Sequence, residues 1–173
     1  MSKLRVVYSA DDISKRLSEI ASAVAGDYGE RELVLVGILK GAAFFLADLA
    51  RLMPRPVDYE FVNVTTSPGD HGEVVSLTYA TQLDVRDRNV LILKDVFHSG
   101  ITENYLITHL CQQNPASVEV MALVDKAQLR SVNLSAKYAV FDDAPEGYLV
   151  GYGLGPGHGE HTNRPDLCIV DDS

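Results

Sequence analysis

An α/β fold, with a mostly parallel sheet flanked by helices, is what this sequence predicts, and three observations carry the prediction. Short runs rich in Val, Leu and Ile alternate with stretches of helical spacing, as expected of strands buried on both faces with crossover helices between them. The run Val90 to Leu93 leads into a small-residue turn, Ser99-Gly100-Ile101-Thr102, and then into helical spacing from Glu103 to Cys111. Charged residues follow the strand-like runs at Lys40, Asp95 and Lys126. The carboxyl ends of parallel strands are where such a sheet gathers its ligand-binding groups.

Taken in order, Ser9 reads as the N-cap of a first helix, with Asp11 and Asp12 in the first turn. Ile13, Leu17, Ile20 and Val24 form its apolar stripe, and Gly26 is expected to end it. Leu33 to Ile38 is a short buried strand, broken by Lys40-Gly41. Ala42 to Arg51, rich in Ala, Leu and Phe, is a second helix, and Asp58 to Val64 alternates as a strand. Thr65 to Glu73 is polar and contains Pro68, Gly69 and Gly72, which makes it a hairpin tip or a functional lid. Val74 to Tyr79 resumes as a strand. Val90 to Leu93 follows and is expected to end at the pair Lys94-Asp95. Val118 to Val124, Tyr138 to Phe141 and Tyr148 to Val150 complete the strands.

The 173 residues suffice for a sizeable core. No repeat, low-complexity stretch or linker divides them, so a single domain over 1–173 is expected. Lys and Arg number 15 against 24 Asp and Glu, a formal charge of −9. That balance argues against nucleic acid or an anionic membrane as partner, and leaves room for a local basic pocket. Cys111 and Cys168 show no CxxC spacing, which points to a reducing compartment. Met1 to Ala10 has no apolar h-region and no run approaches membrane-spanning length, so a cytoplasmic protein is expected.

Four segments occur in order: Val34-Leu35-Val36-Gly37-Ile38-Leu39-Lys40-Gly41, Arg88 to Thr102, Leu123-Val124-Asp125-Lys126, and Leu149-Val150-Gly151-Tyr152-Gly153-Leu154. Together they resemble the hypoxanthine-guanine phosphoribosyltransferases over nearly the whole chain. The resemblance implies a type I phosphoribosyltransferase-like fold, with a small hood built from the C-terminal segment. It implies a purine-salvage enzyme that joins an oxo-purine to ribose 5-phosphate from phosphoribosyl pyrophosphate, with magnesium (Mg2+), releasing pyrophosphate. It also implies a homo-oligomer.

Carried over residue by residue, the resemblance makes Ser99, Gly100, Ile101 and Thr102 the cradle of the 5-phosphate. That suits a helix start, whose first N–H groups have no internal partner. Lys40 and Gly41 match the pyrophosphate loop, where the Leu39–Lys40 peptide is often cis. Lys126 matches the donor to the exocyclic purine oxygen, with Arg130 on the same side supporting its loop. Tyr148 matches the residue that stacks on the base, and Leu149 the one whose backbone meets its edge.

The sequence also departs from the family pattern. Lys94 stands where a Glu is usual, leaving Asp95 as the surviving ribose contact and the one indirect link to magnesium. His98 stands where an Asp receives the purine N7 proton, a task open to a neutral imidazole. Gly155 replaces a metal-binding Asp, Thr66-Ser67 occupies the mobile-loop position, and a late Arg aligns near His161, with Arg164 close by. These changes leave a second reading beside the enzyme: a non-enzymatic relative that binds a purine mononucleotide or phosphoribosyl pyrophosphate. Gly157-His158-Gly159-Glu160-His161 reads as a solvated loop near the entrance rather than a zinc site.

Overall fold

The computed structural model describes residues 3–69, 72–142, 145–156 and 159–171. Its elements are β1 (Lys3–Tyr8), α1 (Ala10–Tyr28), β2 (Leu33–Ile38), α2 (Ala43–Leu52), β3 (Asp58–Gly69), β4 (Gly72–Tyr79), β5 (Asn89–Phe97), α3 (Ile101–Cys111), β6 (Ser117–Asp125), β7 (Tyr138–Phe141), β8 (Tyr148–Val150) and β9 (Leu167–Asp171). The main sheet has the order β4-β3-β2-β5-β6-β7, and β1-β9-β8 form a second, smaller sheet. Only the β3–β4 pair of the main sheet is antiparallel.

The strands at the centre are apolar on both sides because both sides are covered. Leu33 and Leu35 of β2, with Leu91 and Leu93 of β5, pack among Leu17, Phe45 and Leu49 of α1 and α2. Val34, Val36, Ile38, Val90 and Ile92 pack with Leu106 and Leu110 of α3. Burying each such side chain contributes about 1.5–3 kcal/mol. Gly37 keeps the first layer tight, since a Cβ there would lie 2.8 Å from Leu46 Cδ1.

Several boundaries differ from those read in the sequence. Helix α1 starts at the Ser9 capping box, with Asp12 N donating to Ser9 Oγ at 3.1 Å and Ser9 N donating to Asp12 Oδ2 at 3.0 Å. It runs through Gly26 to Tyr28 and is capped by Gly29 at φ 53°. A glycine inside a helix costs about 1 kcal/mol, which the buried Tyr28 ring, flanked by Arg31 and Lys137, outweighs. Strand β5 runs past Lys94-Asp95 because its ladder with β6 continues, pairing Lys94 with Ala122 and Val96 with Val124. Phe97 then closes the strand inside the core. Of the two readings of Thr65 to Glu73, the hairpin tip holds: β3 and β4 pair from Val62↔Tyr79 out to Gly69↔Gly72. Asp70 and His71 lie outside the described residues.

The small sheet is the hood, and it draws a strand from the N-terminus as well as two from the C-terminal segment. Strand β9 pairs antiparallel with both β1 and β8. Neither β1 nor β9 is read as a strand from the sequence, and β1 carries two charged residues in six. The Tyr8 ring stacks on Phe141 of β7, centroids 3.7 Å apart and planes within 9°. The Tyr152 hydroxyl donates to Asp48 Oδ2 on α2 at 2.5 Å. These two contacts dock the hood on the main body.

Burial, and next the charge of Glu119, pushes the Tyr28 phenol up to about 12, against 10.0 for the free group. Below pH 10 the native and unfolded chains both keep this proton, and the contribution is fully present. Above it the unfolded chain releases its proton first, so stability is lost as the pH climbs through the folded value. Denaturant unfolding of wild type should therefore decline in this window by about 1.4 kcal/mol per pH unit more steeply than that of Tyr28→Phe. Equal slopes for the two proteins would contradict the burial assigned to this ring.

Candidate active site

The carboxyl ends of β2, β5 and β6 open onto a cleft of about 940 Å3 beneath the hood. Lys40, Gly41, Lys94, Asp95, His98 and Lys126 line its floor and walls, and Tyr148 and Leu149 face them from β8. The cleft also takes in Leu154, from the last of the four segments, and Phe44, Leu129 and Thr162, which the sequence did not single out. Phe44 and Leu129 carried a usable signal: each is a large apolar side chain beside a charged strand end, and each is exposed.

On the β2 side the chain leaves the sheet through Leu39, whose N–H donates to Val62 O at 2.9 Å. The Leu39–Lys40 peptide is cis, and Lys40 is exposed. Gly41 sits directly against Asp95: a Cβ on it would lie 1.8 Å from Asp95 Oδ2. Gly153, at φ 90°, approaches from the hood, with its own Cβ position 3.2 Å from Gly41 O. Gly41 thus lets the loop close on the carboxylate, and Gly153 lets the hood close on the loop.

Asp95 does not stand alone. The Lys94 ammonium lies 3.1 Å from Asp95 Oδ1 and 3.8 Å from Glu103 Oε1. Glu103 is in the first turn of α3, only 3% exposed, and its Oε1 accepts no hydrogen bond. The sequence reading missed Glu103. The available signal was Lys94 itself, since a cation at the end of a buried strand calls for a carboxylate partner.

The turn after β5 borders the cleft at His98. Ser99, Gly100, Ile101 and Thr102 continue outward from it as the start of α3 rather than lining the cleft. Gly100 takes φ 80° and no side chain caps the helix. Ser99 Oγ accepts from Ile101 N at 3.4 Å, and Gly100 O accepts from Asn104 N. Arg130 ties this turn to the β6 end. It donates to His98 O at 2.8 Å and pairs with Asp125, while its guanidinium carbon lies 3.4 Å from the Phe97 ring centroid. The Lys126 ammonium donates to Gly147 O at 3.5 Å, directly before the exposed Tyr148 ring. Leu149 is buried and pairs with Ile169.

The remaining positions are dispersed. Gly155 lines the cleft but has no room for a carboxylate, since a Cβ would meet Thr162 Cγ2 at 2.7 Å. Thr66-Ser67 lies in the hairpin, away from the cleft. Arg164 is engaged in a two-point pair with Asp166, 2.8 Å at each contact, and lines a separate cavity of about 500 Å3 between α1, α2 and the hood. This pairing holds the Asp166 carboxyl below the usual range. His161 lies 3.7 Å from Glu160. Gly157 and His158 are outside the described residues, among which no cluster of His, Cys, Asp and Glu could hold a metal ion. No described helix is long and apolar enough to cross a membrane.

Comparison with known proteins agrees with this geometry. Residues 7–151 match the phosphoribosyl transferase domain family. A hypoxanthine-guanine phosphoribosyltransferase of Mycobacterium tuberculosis is 35% identical over 157 residues, covering 86% of this chain and 77% of its own length. The Aquifex aeolicus hypoxanthine-guanine phosphoribosyltransferase is 31% identical, covering 98% and 96%. The crystal structure of a hypoxanthine-guanine phosphoribosyltransferase from Bacillus anthracis superposes with a TM-score of 0.88 at 27% identity, covering 99% of each chain. A Trypanosoma cruzi hypoxanthine phosphoribosyltransferase, studied for the role of its C-terminal region in oligomeric state and enzymatic activity, superposes at 0.86 with 29% identity, covering 96% of this chain and 91% of its own.

The packing of Gly41 on Asp95 is testable on stability alone. Gly41→Ala should lower the unfolding free energy by about 1–3 kcal/mol, and adding Asp95→Gly should recover part of that loss through coupling between touching sites. A denaturation midpoint unmoved by Gly41→Ala would contradict the close approach.

Proposed function

This chain belongs to the hypoxanthine-guanine phosphoribosyltransferase family of enzymes, and we propose that it makes purine mononucleotides by salvage, from an oxo-purine and phosphoribosyl pyrophosphate. The observation that carries this reading is one cleft in which Lys40, Asp95, His98 and Lys126, from three separate strand ends, face Tyr148 of the hood. In the reaction a purine nitrogen bonds to ribose C1 as the C1–O bond to pyrophosphate breaks. The base gives up a proton and pyrophosphate leaves.

Each group has a task that its chemistry allows. The N–H groups at the start of α3, from Ser99 to Thr102, receive the 5-phosphate, where helix-end donors and the macrodipole favour an anion. Gly100 lets the phosphate come close to the backbone. Lys40 and the peptides around Gly41 face the pyrophosphate. Asp95 accepts from ribose hydroxyls. His98, as neutral imidazole, takes the proton leaving the purine. Lys126 exchanges its long bond to Gly147 O for the exocyclic oxygen of the base. An amino-purine would set a donor against that donor and leave both unpaired. The exposed Tyr148 ring stacks on the base, while the Leu149 backbone meets its edge.

The cleft does not build a protein-held magnesium site. Asp95 is the one carboxylate among its described lining residues, and it is already paired with Lys94. Magnesium takes most of its octahedral shell from water and substrate oxygens and only one or two carboxylates from a protein, and here the one carboxylate at hand already has an ammonium against it. Salvage of a small soluble base fits a cytoplasmic protein. The link between C-terminal region and oligomeric state in the Trypanosoma cruzi relative fits a homo-oligomer here too.

A turnover assay over a panel of bases tests this reading. Hypoxanthine or guanine should be converted and adenine should not. Lys126→Met should weaken binding of the hypoxanthine nucleotide by about 1–3 kcal/mol and leave that of the adenine nucleotide little changed. His98→Ala should lower kcat by about a hundredfold or more with nucleotide affinity retained. Equal conversion of adenine and hypoxanthine would remove Lys126 as the selector. Nucleotide binding without turnover of any base would make the chain a binding relative and overturn the enzymatic assignment.

A further inference from the structure

The pair formed by Lys94 and Glu103 is the feature of the cleft that the salvage reaction does not account for. A lysine ammonium has three donors. One side of Lys94 is taken by Asp95 Oδ1 at 3.1 Å and another by Glu103 Oε1 at 3.8 Å. Lys94 nevertheless lines the cleft, with its side chain about one-fifth exposed, 21%. Glu103 is behind it, buried and outside the cleft lining. It is a carboxylate whose Oε1 has no hydrogen-bond donor of its own. Burying such a group beside a lysine gains little stability over an apolar pair of similar volume. What the arrangement does is hold a positive charge at the cleft wall, at the position where it touches Asp95.

That position has consequences for a cation arriving with the substrate. Asp95 is the carboxylate that would draw a divalent ion into the cleft, and Lys94 already stands against its Oδ1. A second cation approaching the same oxygen meets the ammonium as a like charge at short range. The polyanionic donor, by contrast, meets a fixed point charge of the kind lysine presents to phosphate groups.

We infer that the Lys94 ammonium, aimed by the buried Glu103, supplies from within the chain the positive charge that a divalent cation would otherwise bring, so that the cleft takes phosphoribosyl pyrophosphate as the metal-free polyanion. Lys94 is a binding residue in this scheme and Glu103 a positioning residue that acts through it. The inference rests on the salvage reading of the cleft, which supplies the donor.

Calorimetric titration of phosphoribosyl pyrophosphate into the folded full chain, in magnesium and in chelator, tests it. Titration of the hypoxanthine mononucleotide runs in parallel. Wild type should bind the donor with affinities that differ by less than about fivefold between the two conditions. Lys94→Gln should lose about tenfold or more in chelator, with magnesium restoring most of the loss. Glu103→Gln should move the same ratio in the same direction, a shift that a purely structural role would not produce. Lys94→Arg should keep the wild-type pattern. Because Lys94→Gln leaves Glu103 buried without a countercharge, the charge-balanced Lys94→Met/Glu103→Met pair provides a second, independent protein that should show the same loss. Mononucleotide binding by each variant shows that its cleft is still folded.

A wild-type affinity that falls by fivefold or more in chelator overturns the inference, and so does donor binding by the double variant equal to wild type in chelator. Failure of wild type to bind the donor in chelator, with its mononucleotide binding intact, counts against the Lys94 scheme alone. Failure of both ligands to bind wild type overturns the salvage reading, and this scheme with it.

Discussion

The site depends on one constraint: β5 is hydrogen-bonded on both edges, to β2 and to β6, and buried on both faces. A parallel strand in that position cannot slip by one residue without turning its Leu and Val side chains into the wrong layer. Register is therefore locked at Leu93↔Gly37 and Phe97↔Asp125. The lock carries over into the loops, because Lys126 N donates to Phe97 O at 2.9 Å beyond the last ladder pair. Lys40, Asp95 and Lys126 are neighbours because their strands are in register, and no loop has to search for that arrangement.

Above this fixed floor the hood is held by a few specific contacts rather than by a second large core. Tyr8 stacks on Phe141, Tyr152 donates to Asp48, and Gly153 comes down on Gly41. Gly151 has φ 95°, and a Cβ there would lie 2.1 Å from Asp166 O. The glycines of the Gly151-Tyr152-Gly153 run are therefore backbone requirements of a roof that turns sharply over the cleft. The division of labour suits a transferase: the sheet holds the floor of the cleft rigidly, and a thinner cover closes over it.

The sequence showed the floor and left parts of the rest hidden. Buried runs such as Leu33 to Ile38 and Val90 to Leu93 announce themselves by composition, and the charged residues beyond them mark the strand ends. The polar stretch after Val64 concealed the length of the hairpin, because an exposed ladder needs no apolar alternation to pair. Strand β1 was hidden for a related reason, since three of its six residues are exposed in the burial pattern of Lys3–Tyr8. Within the cleft, the polar residues at strand ends were legible: Lys40, Asp95, His98 and Lys126. Glu103 was not, because its role depends on a lysine nine positions earlier, across a turn. The engagement of Arg164 with Asp166 was equally out of reach, since the sequence does not say which way a two-residue spacing points in an irregular segment.

The hood also carries a temporal consequence. Its middle strand is β9, which pairs Lys3 with Asp171 and Tyr148 with Val170. Contacts that span so much of the chain form late, because loop-closure entropy is spent before they return anything. On a ribosome, all the strands of the main sheet are made before β9, and β1 waits until β9 is made to find its neighbour. The cleft floor can thus form while still unroofed, and the roof closes over it once β9 joins β1 to β8.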